Sequence, residues 1–406
     1  MDYIQAIKET QQALLNTIDL SFKRSLFAEI DFGQRLIGII GPRGVGKTTL
    51  ILQYLKENFA HRNDALYVLA DNIIFKAGDL FALTRDLYFK NGIRLLCVDE
   101  IHRYDNWNQE LKNIYDAFPR LKIIFSGSSS LSLIKGKYDL SRRAVIYEMG
   151  GFSFREYLLF EQKMCVPKLT LTGLLEDYPA ISGQIAKNES ILQYFETYLS
   201  GGYYPFFKET DNLPLYFQQI NNTIDKTIYE DIASFYHLKT QNLIAFKQIL
   251  AFLATIPPGD INVNKLANSL KKNHATVSEY LHILHETRLI RFLSRDKIGH
   301  GLIRHAKKVF LDNTNLVYAL NHNLGIPANK GVLRELFVLN QLQNAGYTPT
   351  YTPTGDLRVG DHTFEVGGRT KTYRQIRETT ASYLLLDDIL IADRQKIPLY
   401  LFGFFY

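Results

Sequence analysis

The sequence predicts an α/β protein. An amino-terminal parallel sheet wrapped by helices is followed by a helical segment, a helix-turn-helix with a wing, and a carboxy-terminal α/β segment. Three observations predict it. Five short apolar runs alternate with helical patterns between Phe32 and Met149. A basic stretch of short helical patterns ends in the strand-like run IRFLS. The helical pattern GVLRELFVLNQLQNAG (331–346) is followed by short β-rich runs.

The five runs are RLIGII (35–40), ALYVLA (65–70), IRLLCV (93–98), LKIIFS (121–126) and AVIYEM (144–149). They are continuously apolar, as strands buried on both faces of a parallel sheet must be. Gly150–Gly151 punctuates the chain after them. From Phe152 to about His237 the pattern is helical and rich in Tyr and Phe, with turn signals at Gly201–Gly202 and Pro205, and reads as a lid or connector. From about Asn242 to Asp296 three short helices precede IRFLS, with Pro257–Pro258–Gly259 as a loop. After the long helix, strands are expected around YTPT, LRV, TFEV and IPLYLFGFFY. The expected domains are therefore 1–150, 151–240, 241–310 and 311–406.

A chain of 406 residues with 46% hydrophobic content can bury more than one core. The net charge of +6 permits a polyanionic partner without requiring one. Cys97 and Cys165 lie far apart with no CxxC or Cys/His spacing, which argues against a disulfide framework or a zinc site. The amino terminus shows no apolar signal region, and no run reaches the roughly 18 apolar residues of a membrane helix. A cytoplasmic protein without membrane partners is expected.

The segment Gly41–Thr48 matches the phosphate-loop pattern G-x-x-x-x-G-K-[ST] through Gly41, Gly46, Lys47 and Thr48, with Gly44 inside the loop and Thr49 next. It follows the run RLIGII and opens the helical run TTLILQYLKENF, so backbone amides and a helix N-terminus converge where phosphates would sit. The ligands this predicts are ATP and Mg2+. Glycines admit the phosphate oxygens closely, Lys47 neutralises β/γ charge, and the Thr48 hydroxyl ligates the metal. The run LLCVDE ends in Asp99 and Glu100. An acid there holds Mg2+ through its water shell, and its neighbour orients an attacking water as a base, which points to hydrolysis. The plain alternative is a pair of polar strand-enders.

Ser126–Gly127–Ser128–Ser129–Ser130 brings hydroxyls to the same sheet edge. Ser128, or failing that Ser126, is the candidate γ-phosphate sensor, against the alternative of a helix cap. Arg142 and Arg143 stand before AVIYEM. Arg143 is favoured over Arg142 as an arginine reaching a neighbour's γ-phosphate, against a merely solvated pair.

The order of motifs resembles a bacterial and archaeal family of AAA-type ATP-binding proteins related to archaeal ATPases. The likeness is carried by GPRGVGKTTL, LLCVDEIHRYDNW with LKNIYD, IIFSGSSS, GGFSFREYLLF, GGYYPFF, the helix-turn-helix, and ELFV…L…GY. It implies a P-loop NTPase sheet with an additional strand, order 5-1-4-3-2, then a winged helix and a PD-(D/E)XK-like, restriction-endonuclease-like carboxy-terminal domain. One departure falls at the finger region, where the family's L-x-G-R stands here as Leu140–Ser141–Arg142–Arg143.

Residues 261–310 carry ten Lys/Arg against three Asp/Glu. LANSL is the expected first helix, Lys271–Lys272–Asn273 the turn and HATVSEYLHILHETRL the second helix. Val277, Leu281 and Leu284 form its core stripe and leave His274, Thr276 and Ser278 outward, a surface suited to double-stranded DNA. An intramolecular packing role is the alternative. In the last segment the resemblance places Glu335, Asp356 and Glu365 where a nuclease holds Mg2+. The lysine of E-x-K is missing from Glu365–Val366–Gly367, and the spacing of Arg369 and Lys371 puts neither on the same strand face without a bulge. Cleavage is therefore not expected. This domain is expected to bind nucleic acid or a protein partner, or to pack on the ATPase domain, and the chain as a whole is a candidate homo-oligomer.

Overall fold

The computed structural model describes residues 3–60, 62–70, 79–129, 140, 142–236, 238–257, 263–295, 306–377 and 379–406. Two compact units emerge, Met1–Gly150 and Gly151–Tyr406.

In the first unit β1 (Leu36–Ile40), β2 (Ala65–Leu69), β3 (Leu95–Asp99), β4 (Lys122–Gly127) and β5 (Val145–Glu148) form one sheet of order β2-β3-β4-β1-β5. Every pairing is parallel. The order is the one the resemblance implies, with β4 inserted between β1 and β3. Each apolar run of the sequence lands on a strand, because β1 and β3 are buried on both faces. The edge strand β5 differs, leaving Val145 and Ile146 exposed. The helices are α1 (Tyr3–Thr17), α2 (Ser25–Glu29), α3 (Lys47–Phe59), α4 (Leu80–Lys90) and α5 (Trp107–Ala117). Leu111 and Ile114 of α5 join Leu96, Val98, Ile123 and Phe125 in the core. Parallel pairing brings all carboxyl ends to one edge, where Ile40 lies beside Gly127 and Leu69 beside Asp99.

The second unit opens with α6 (Phe154–Phe160), α7 (Leu171–Ile185), α8 (Ile191–Gly201) and α9 (Leu213–Lys226), which runs on through a π turn, Thr227–Ile232. Ser153 caps α6 by a reciprocal box with Glu156. Then come α10 (Thr240–Thr255), α11 (Val263–Ser269), α12 (His274–Glu286) and an antiparallel hairpin, β6 (Ile290–Ser294) and β7 (Ala306–Leu311). Asn273 caps α12 by accepting from the Thr276 amide at 2.7 Å. Val277, Leu281 and Leu284 are buried while His274 is exposed. The loop residues Pro258 and Gly259 and the basic residues Lys297 and Arg304 lie outside the described residues, as do Ser130 and Ser141.

After α13 (Thr314–Leu324) and α14 (Lys330–Asn344), a second sheet holds β8 (Leu357–Val359), β9 (His362–Gly367), β10 (Ser382–Leu386) and β11 (Lys396–Pro398). Its order is β11-β10-β9-β8, with only β8 antiparallel to its neighbour. Two expectations need correction here. The run IPLYLFGFFY is a strand only to Pro398 and then turns as a 3-10 helix, Leu399–Phe404. All six of its residues are buried, so apolar character carries no period that separates strand from helix. YTPT forms a single bridge, Thr350 to Arg358, rather than a strand. Neither α13 nor β10 was expected.

Candidate nucleotide site and a carboxylate–lysine cluster

The loop between β1 and α3 is shaped by glycines that no other residue could replace without strain. A Cβ at Gly41 would stand 2.2 Å from the Met149 carbonyl oxygen. Gly44 and Gly46 have φ of +79° and +100°, the left-handed region that side chains disfavour. Gly46 is the N-cap of α3, and no side chain caps that helix end, so the helix presents its first turn of amides toward the loop. Arg24, not foreseen, braces the loop from below. Its guanidinium donates to the Val45 carbonyl at 2.7 Å and to Gly150 at 2.9 Å. Lys47 is buried and donates to the carbonyls of Gly41 at 2.9 Å and Pro42 at 2.8 Å.

Asp99, at the end of β3, gathers the site. One oxygen accepts from the Thr48 hydroxyl at 2.7 Å and from the Tyr67 hydroxyl at 2.6 Å. The other accepts from the Ser126 hydroxyl and, at 3.2 Å, from the Glu100 amide. Burial and the adjacent Asp99 charge push the Tyr67 hydroxyl far above its ordinary pKa, so it stays a donor. The Thr48 hydroxyl beside a carboxylate, at the mouth of an amide-lined loop, is a donor set that fits Mg2+ carried by a triphosphate. Lys47, Thr48 and Asp99 would hold that group, with Thr49 following Thr48 in the first turn of α3.

Glu100 follows with φ +54°, an unusual conformation for a residue with a side chain. Its amide donates to Ser126 Oγ at 3.0 Å. Of the two candidate serines, Ser126 is bonded to both acids. The Ser128 amide instead donates to His102 Nδ1 at 3.3 Å. Arg143 is not brought to this site. Its guanidinium forms a fork with Asp116, both contacts at 3.0 Å. Parallel pairing sets Val145 level with Ile37, so Arg143 stands at the opposite sheet edge from Gly41. Arg143 lies in a turn before β5, and the four strand residues Val145–Glu148, about 13 Å at ~3.3 Å each, separate that turn from the sheet edge at Gly41. Arg142 is exposed.

The carboxy-terminal candidates do come together, and lysines join them. Lys308 of β7 donates to Glu335 Oε2 at 2.7 Å and to Asp356 Oδ1 at 2.8 Å. The other Asp356 oxygen accepts from the Val366 amide at 2.9 Å. Lys371 pairs with Glu365, which corrects the expectation that its spacing keeps it off that strand face. No bulge is needed. A turn closed by the Lys371 amide on the Gly368 carbonyl, at 2.9 Å, folds the chain back. The Lys371 stem then occupies the space a Cβ on Gly367 would fill. Burial, reinforced by the Asp356 charge, pushes the Glu335 carboxyl up to about 7. Burial likewise raises Glu365. For Lys308 burial works in the opposite sense, but Glu335 and Asp356 outweigh it and hold the ammonium charged. Among the described residues, no group of three or more His, Cys, Asp or Glu side chains is set to hold a metal ion.

The basic excess of residues 261–310 is partly internal. Arg291 is buried against Asp312 at 2.9 Å, and Lys308 is committed to the cluster above. Lys272 donates to Asn242 at 2.9 Å. Lys265, Lys271 and Arg295 are exposed. Among the described residues, no helix is long and apolar enough to cross a membrane.

No curated protein matches this chain. Among solved structures, the Hsp104–ADP complex of S. cerevisiae aligns at 18% identity and a TM-score of 0.32, covering 68% of this chain and 41% of that one. The chain thus spans about two fifths of Hsp104. DnaA from Aquifex aeolicus bound to AMPPCP aligns at 15% identity and a TM-score of 0.27, covering 70% of this chain and 89% of that one. PCH-2 of C. elegans aligns at 15% identity and a TM-score of 0.24, covering 69% and 66%. A family described as a domain of unknown function matches residues 192–329. A family described as an AAA domain matches residues 33–158, and with the strand order and loop geometry it gives that segment an AAA-type P-loop fold.

Proposed function

We propose that the chain binds Mg·ATP through Gly41–Thr48 and hydrolyses it, and that residues 151–406 engage double-stranded DNA or a protein partner according to the nucleotide bound. The observation that carries the reading is the Asp99 carboxylate, which receives Thr48 from the phosphate loop, Ser126 from β4 and Tyr67 from β2 at once. Magnesium, when bound, offsets phosphate charge. Lys47 exchanges the carbonyls of Gly41 and Pro42 for phosphate oxygens, and Glu100 orients a water and takes its proton. The carboxy-terminal cluster binds or packs rather than cuts, since the Lys308 ammonium already bonds both Glu335 and Asp356, where a metal ion would have to sit.

The test is steady-state ATP turnover beside equilibrium binding of ATP. Lys47→Ala is expected to abolish binding, and Glu100→Gln to keep binding while losing turnover. A wild-type chain that binds ATP but shows no turnover would make it a nucleotide-holding regulator instead.

A further inference from the structure

Directly after Glu100, the 3-10 turn Ile101–Arg103 brings His102 back beside it. The imidazole is almost fully enclosed, with its side chain 6% exposed. Its Nδ1 lies 3.3 Å from the Ser128 amide, just past the end of β4, and its Nε2 lies 3.5 Å from Glu100 Oε2. An amide N–H can only donate, so Nδ1 must present its lone pair. The ring proton of the neutral imidazole is therefore on Nε2, directed at the Glu100 carboxylate. Arg103 Nε approaches the same oxygen at 4.0 Å. The Glu100 backbone is held independently, through its amide, by Ser126 and Asp99.

We infer that His102 is a positioning residue that ties the Glu100 carboxylate to the Ser128 amide, so that the attacking-water base and the end of β4 move together. The inference rests on the hydrolysis reading above. The backbone contacts fix where Glu100 starts; His102 fixes where its carboxylate ends. The imidazole contacts described above reach Glu100 and Ser128, which act on the attacking water and not on phosphate binding, so the loss is expected to fall on turnover rather than on nucleotide affinity.

Asparagine places an amide where Nδ1 was, and glutamine places one where Nε2 was, so the two halves of the link can be separated. His102→Ala is expected to lower kcat about 10- to 100-fold, the scale of loss when a catalytic group is misplaced by about an ångström, with ATP affinity changed less than about twofold. His102→Gln, which retains a donor for Glu100, is expected to recover more of kcat than His102→Asn. In the full-length wild type labelled with 15N-histidine, the neutral His102 ring is expected to show the Nε2–H tautomer. An Nδ1–H tautomer, His102→Ala turning over like wild type, or a loss of affinity as large as the loss of rate would overturn the assignment. A wild-type protein that never turns over ATP would sink the hydrolysis reading itself and the positioning role with it. That failure is told apart from the others because it is seen before any His102 variant is made.

Discussion

At Gly41 a single methyl decides between a working loop and a blocked one. A Cβ there meets a backbone carbonyl rather than a flexible side chain, so Gly41→Ala is expected to displace the loop and remove ATP binding, read by titration with a fluorescent ATP analogue. At Tyr67 the expected effect is graded. Tyr67→Phe deletes one of the donors to Asp99, a hydrogen bond to a charged group worth about 1.5–3 kcal/mol. A rise of about tenfold or more in the Mg2+ concentration needed for half-maximal ATP binding is expected, with the sheet intact by circular dichroism. The loop residues were legible in the sequence because phosphate chemistry dictates both their types and their spacing. Tyr67, Arg24 and His102 were not, because register and turn geometry, rather than a motif, bring them to the site. Lys371 was misread for a related reason: a residue spacing measures reach along a strand, and the chain turns back after Gly368.

Helix α14 and the β6–β7 hairpin share a buried polar lattice that apolar patterning does not reveal. Arg291, 1% exposed, donates to the Asp312 carbonyl at 2.8 Å, to Gln343 at 3.0 Å and to Asn344 at 2.8 Å. Asp312→Ala is expected to destabilise the second unit by about 3–5 kcal/mol, since it strands a buried guanidinium without its countercharge. Urea denaturation followed by tyrosine fluorescence measures this. His285 of α12, whose ring lies 4.7 Å from that of Phe292 on β6, makes the packing against the hairpin acid-sensitive. Burial, aided by Arg288 and Arg291, depresses its pKa to about 4. Between about pH 6.5 and pH 4 the unfolded chain takes up a proton there that the folded chain refuses, so stability falls as pH falls through that window. The full effect is ~3 kcal/mol. His285→Phe is expected to lose correspondingly less stability than wild type between about pH 7 and pH 4 in the same measurement. Helices whose faces divide apolar from polar, and continuous apolar runs bounded by turn signals such as β1 and β3, were the readable ones. Strand β10 and the final 3-10 turn, enclosed on nearly every side, left no periodicity to read.

For the whole molecule, the burial of Arg291 and Lys308 shrinks the cationic surface that composition alone suggested for residues 261–310. If duplex DNA stimulates ATP turnover through this region, Lys271→Glu is expected to reduce that stimulation about uniformly across sequences and to flatten its salt dependence. Unchanged stimulation would move attention to protein partners. The parallel sheet carries one more consequence. Because Arg143 sits beyond the wrong edge of its own sheet, any service it gives to a triphosphate must be given to another molecule's, after the Asp116 fork opens. Hydrolysis that depends on it would be collision-dependent, so that diluting the protein lowers the rate per chain, and a mixture of Lys47→Ala and Arg143→Ala chains, each inert alone, recovers part of the activity.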